Sequence, residues 1–112
     1  MKTVLHITSG DEGHFQHAIR CASLLSQHED LLHEAVTLLP HRGGIRLVAA
    51  NSPLSEDIQE LIEHGVTIKA GSSCFDAHEL PREALPGVEI VPSGVSELVR
   101  LQSEGYNYVK IP

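Results

Sequence analysis

Residues 86–112, PGVEIVPSGVSELVRLQSEGYNYVKIP, decide the fold. They read as strand, tight turn, amphipathic helix, glycine stop and strand. Val88, Ile90 and Val91 lie between Pro86-Gly87 and Pro92, and β-branched residues in so short a bounded run predict a buried strand. Ser93 is a good N-cap, and Gly94 opens the helix and lets other groups come close to its backbone. Val95, Leu98, Val99 and Gln102 share one helical face, and Gly105 ends the helix. Tyr106, Tyr108, Val109 and Ile111 then resume a strand.

The same rhythm extends back along the chain. Val66 to Ala70 is a strand, and Gly71-Ser72-Ser73-Cys74-Phe75 leaves it toward a short helix or turn over Asp76 to Ala84. Ser52-Pro53 predicts a helix start, with an N-cap followed by proline at the first helical position, and Gly65 stops that helix. Leu54, Ile58, Leu61 and Ile62 form its apolar face. His33 to Pro40 is a strand, His41-Arg42-Gly43-Gly44 its turn, and Ile45 to Ala49 a short apolar helix or strand. Lys2 to Thr8 is the first strand, with Val4, Leu5 and Ile7 too continuous for one wet face. A helix follows from about Glu12 to His28, its core stripe being Phe15, Ala18, Ile19, Ala22, Leu25 and Ser26. Strands alternate with helices and no hairpin signal intervenes. This predicts one α/β domain over residues 1–112, three-layer α/β/α, with a mainly parallel five-stranded sheet.

Composition narrows the function. The 112 residues carry a formal charge of -7 and no basic stripe, which disfavours nucleic acid as a partner. No apolar run approaches the roughly 20 residues that span a bilayer, and the first residues lack a signal-peptide pattern. A cytoplasmic protein without membrane contact is expected, with Cys21 and Cys74 as reduced thiols and no cofactor.

In an open parallel sheet, ligands bind outside the carboxyl ends of the strands. Three turns of small residues leave those ends: Ser9-Gly10, Gly71-Ser72-Ser73-Cys74 and Ser93-Gly94. The Ser93-Gly94 turn presents free N–H groups at a helix start, which favour an anion or a thiolate. Such a setting activates a thiol, which is the case for Cys74; the alternative is a small half-buried hydrophobe beside Phe75. His41 and Arg42 beside two glycines either hold an anion or solvate a loop. Ser9-Gly10-Asp11-Glu12-Gly13 lacks the spacing of a phosphate loop and reads as a plain βα turn. A second stripe on the first helix, His14, His17, Cys21, Leu24 and His28, is either a soft-metal half-site or a subunit interface. No nucleophile elbow and no H-E-x-x-H motif point to a conventional hydrolase.

Gly65-Val66-Thr67-Ile68-Lys69-Ala70-Gly71-Ser72-Ser73-Cys74-Phe75 and the run from Pro86 through Val109 resemble the two signature segments of the DsrE-like sulfur-relay family. The resemblance implies a DsrE-like α/β fold and a role in intracellular sulfur metabolism, nearer a carrier or binding protein than a conventional enzyme. It also implies assembly as a homotrimer or homohexamer and exchange with sulfur-transfer proteins. The family's carrier cysteine, which takes up sulfur as a persulfide, falls on Gly71, and Cys74 lies three residues later. Three readings follow. The first is a persulfide carrier through Cys74. The second is a non-covalent module binding a small anion or partner with Ser9, Gly10, Gly71, Ser72, Ser73, Ser93 and Gly94. The third is metal binding through His14, His17 and Cys21.

Overall fold

The computed structural model describes residues 1–28 and 33–112. Five strands form one sheet: β1 Lys2–Ile7, β2 Ala35–Pro40, β3 Thr67–Gly71, β4 Glu89–Val91 and β5 Asn107–Ile111. Their order is β4-β3-β2-β1-β5, and every pairing is parallel. The helices are α1 Glu12–Gln27, α2 Ser55–Glu63, α3 Ser72–Ala77 and α4 Gly94–Ser103, with a 3-10 helix at Arg42–Leu47.

Alternation along the central strands divides the core in two. Leu5, Ile7 and Leu38 pack with Phe15, Ala18 and Ala22 of α1 and Ile58 and Leu61 of α2. Val4 and Leu39 pack instead against Leu98 and Leu101 of α4. β1 and β2 therefore bury both faces, which explains their unbroken apolar runs. Asp11 starts α1, its carboxylate accepting from the amides of Gly13 and His14.

Four local expectations are corrected. Ser52-Pro53 does not open α2: the Ser52 hydroxyl accepts from the Leu54 amide at 3.2 Å, closing a turn, and the helix begins at Ser55. The helix expected near Asp76 to Ala84 lies earlier, over Ser72–Ala77, because the chain turns into α3 directly from Gly71. β4 is not a buried strand: it pairs with β3 alone and stands at the sheet edge, so Ile90 is exposed. Finally, Val95 and Val99 are not on the buried face of α4. That face is Gly94, Glu97, Leu98 and Leu101: Leu98 and Leu101 pack on Val4 and Leu39, Glu97 pairs with Lys69 of β3, and the valines face outward.

Candidate functional site

The turns that leave β1, β2, β3 and β4 meet at the carboxyl end of the sheet. Gly71 ends β3 and precedes α3, and a Cβ built on it would lie 2.6 Å from the Gly94 backbone nitrogen. The Ser72 hydroxyl donates to the Pro92 carbonyl at 3.4 Å, so the β3 and β4 turns are tied. Ser93 caps α4, its hydroxyl accepting from the Ser96 amide. Gly71, Ser72, Ser93 and Gly94 thus form one group. Ser9 and Gly10 belong to another: the Ser9 hydroxyl pairs with His14 Nδ1 at 2.6 Å, and Gly10 abuts Gly43.

Ser73 and Cys74 point elsewhere. They wall a cleft of about 370 Å³ together with His41, Arg42, Ala77 and His78. Cys74 is only 6% exposed and belongs to the main core, so its sulfur meets the cleft from the wall. The opposite wall is made by the β2 turn. The His41 amide donates to the Ile7 carbonyl at 2.8 Å, and the Gly44 amide donates to the His41 carbonyl at 2.9 Å. A Cβ on Gly44 would lie 2.5 Å from the Ile7 carbonyl oxygen, so this tight return needs glycine there. The turn also holds Arg42 at a φ of 53°, a left-handed conformation that costs a non-glycine residue about 1 kcal/mol or more.

His41 connects this cleft to a second polar cluster. Its ring lies 5.6 Å from that of His6, tilted by 33°, and its Cδ2 edge faces Gly94. His6 is 8% exposed and its Nδ1 lies 2.7 Å from the Tyr108 hydroxyl, while its Nε2 is buried with no hydrogen-bond partner. Burial first, then the fields of His41 and Lys110, lower the His6 pKa to about 4. His41 is also held below the ordinary histidine value, by burial and then by Arg42. Both rings are therefore neutral at pH 7.

His6, Tyr108 and Lys110 were not singled out from sequence. One signal was available: strict alternation along β1 puts His6 on the same inward face as Val4, where a polar side chain has no ordinary reason to be. On α1, Cys21 Sγ and His17 Nε2 approach to 3.7 Å, but His14 is turned to Ser9. Among the described residues no three His, Cys, Asp or Glu side chains converge as a metal cage. No helix among them is long and apolar enough to cross a membrane.

No curated protein matches this chain. Solved structures do. A protein of unknown function from Methanobacterium thermoautotrophicum, MTH1491, is 30% identical and superposes with a TM-score of 0.88, covering 97% of each chain. The ychN protein of E. coli, 18% identical, gives a TM-score of 0.66 over 99% of this chain and 100% of its own. BT1422 of Bacteroides thetaiotaomicron, a conserved protein of unknown function, is 15% identical with a TM-score of 0.68 over 98% and 94%. The last two show the shared fold alone. The model of the DsrE/DsrF-like family matches residues 1–111, and with the all-parallel sheet and the glycine-lined turns at its carboxyl end, the chain belongs to the DsrE/DsrF-like family.

Proposed function

We propose that this protein is a sulfur carrier of the DsrE-like type in which Cys74 performs the task that the family pattern gives to the position of Gly71. The observation that carries the reading is the placement of Cys74 in the wall of a cleft whose other lining includes His41, Arg42 and His78. In the step itself, the Cys74 sulfur attacks the outer sulfur of a donor persulfide. A new S–S bond forms at Cys74, the donor's S–S bond breaks, and the donor leaves as a thiolate with both electrons of that bond. No net oxidant is needed.

A specific feature favours a second reading. Cys74 is nearly enclosed and packs in the main core, as an inert structural thiol would. In that case the same cleft binds a small anion without covalent chemistry, through Arg42 and the two histidines.

Intact mass after exposure to a small-molecule persulfide donor separates the two, with Cys74→Ser and Cys21→Ser in parallel. A sulfur adduct that disappears only in Cys74→Ser supports the carrier. An adduct confined to Cys21, or none at all, removes it and leaves the binding module.

Association into a homotrimer or homohexamer belongs to the same proposal, as does exchange of sulfur with partner proteins. Its support is the apolar surface left open: Leu24 on α1 is 60% exposed, and Val95 and Val99 on α4 are also uncovered.

A further inference from the structure

Two histidines line the Cys74 cleft, both tied through their backbone amides, but only the ring of His41 packs on another ring among the described residues. His78 follows Cys74 by one turn of α3 and sits at its C-cap, and no aromatic ring packs on it among the described residues. His41 is fixed on three sides. Its amide is tied to β1 at Ile7, its Cδ2 edge is against Gly94, and its ring rests on His6, which is itself held by Tyr108. Neither ring nitrogen of His41 has a hydrogen-bond partner among the described residues. A half-buried imidazole that packs on Gly94 and His6, lines the cleft and keeps both nitrogens uncommitted among the described residues can exchange a proton with a group bound there.

We propose that His41 is the general base for Cys74, with His6 and Tyr108 as positioning residues behind it. The reaction rests on the carrier reading, and one proton moves in it. The S–H bond of Cys74 breaks as its sulfur attacks the donor's outer sulfur. The proton passes to a His41 nitrogen, and the imidazolium then returns it to the departing donor thiolate. Proton and charge both close over one transfer.

The groups facing His41 agree with this role. His6 approaches from β1, with Tyr108 and Lys110 of β5 beyond it; Arg42 is its neighbour in the turn; Cys74 and His78 lie across the cleft on α3. From α4 it meets the backbone of Gly94. Among the described residues no carboxylate pairs with it, so nothing nearby favours the protonated ring. Burial and Arg42 keep it neutral and able to accept.

The test measures alkylation of the folded protein by iodoacetamide between about pH 6 and pH 8.5, in a Cys21→Ser background that leaves Cys74 as the single thiol. With a neutral base in place, the rate stays nearly level over this range. In His41→Gln and His41→Ala it falls by about tenfold for each pH unit of acidification, the slope of simple thiolate formation. Added imidazole restores the level profile in His41→Ala, which a purely structural loss does not allow. The assignment is overturned if the His41 variants superpose on their parent or if the parent already shows the thiolate slope. It is equally overturned if the slope arises in His78→Gln instead, or if the folded parent is not alkylated at all. The readout needs no sulfur donor, so a level profile without a persulfide adduct removes the carrier and keeps the base.

Discussion

A side chain on Gly71 would place its first carbon 2.6 Å from the backbone nitrogen of Gly94. Real Cβ atoms do not approach so closely, and the obstacle is backbone at the start of a helix, which moves as a unit. The position on which the family resemblance places a carrier thiol is therefore closed here by the way β3 and α4 meet. We predict that Gly71→Ala lowers stability by about 2 kcal/mol, the usual cost of forcing an extra carbon into a packed site. Gly71→Cys behaves alike and is less stable than the parent. Urea unfolding at neutral pH measures both, and a change below a few tenths of a kcal/mol would show that the Ser93-Gly94 turn yields freely.

The buried carboxylate of Glu97 supports the same junction. It pairs with Arg100 one turn on and with Lys69 of β3 at 3.3 Å, and it is only 8% exposed. The Arg100 hydrogen bond first, and Lys69 after it, hold its pKa below the usual glutamate value against the opposing effect of burial. Lys69→Met removes one of its two cationic partners and leaves Arg100 in place, and we expect a loss of about 1.5 kcal/mol. Lys69→Met combined with Glu97→Leu should recover most of it, since replacing both partners removes the buried carboxylate oxygen that Lys69 no longer satisfies. A double variant no better than the single would contradict this.

Acid acts on the two sites in the same direction. Glu97 is depressed, so its contribution is complete above the ordinary glutamate range and fades as pH falls through its lower folded value. His6 is depressed to about 4, so between there and 6.5 the unfolded chain holds a proton that the folded chain does not. Stability from His6 is thus full above pH 6.5 and declines on acidification. Between pH 7 and pH 5 the His6 share is on the order of 2 kcal/mol. His6→Phe should flatten the stability profile in that interval; an unchanged slope would place the acid sensitivity elsewhere.

Association has its own readout. Light scattering at micromolar concentration is expected to give a trimeric or hexameric mass. Leu24→Glu on α1 and Val99→Glu on α4 each test one uncovered face, and the variant that drops to the monomer identifies the interface. A monomeric parent would sink the proposal.

Fold class was readable from sequence because it rests on periodicity. Glycine stops at Gly65 and Gly105 and the cap Ser93 sit at element ends, as local chemistry requires. Two of the errors, at Ser52-Pro53 and in the placement of α3, are local; the other two arose where distant parts of the fold outweighed a local preference. Val95 and Val99 share a helical face with Leu98 along the sequence, but in the fold α4 turns Gly94, Glu97, Leu98 and Leu101 inward, against partners distant in the chain such as Val4, Leu39 and Lys69. Ile90 reads as buried until the strand order makes β4 an edge. The site divides in the same way. Of Ser9, Gly10, Gly71, Ser72, Ser73, Ser93 and Gly94, expected as one ligand site, Gly71, Ser72, Ser93 and Gly94 lie together where β3 and α4 meet, while Ser9-Gly10 and Ser73 lie in other groups. The joining of His41 to His6 and Tyr108 depends on β5 lying beside β1, a pairing across a hundred residues that no local pattern announces.

That pairing also sets a timetable. β1 is the second strand from one side of the sheet, and its outer neighbour is synthesised last of the five. Contacts such as His6 with Tyr108 and Lys2 with the Glu104 carbonyl span 102 residues, so they form only after nearly all the described chain has emerged from the ribosome. Until then one flank of β1 offers bare amides and carbonyls to any extended segment nearby. The nascent protein is therefore most vulnerable to mispairing at its oldest strand, and the closing of β5 is the event that ends the exposure.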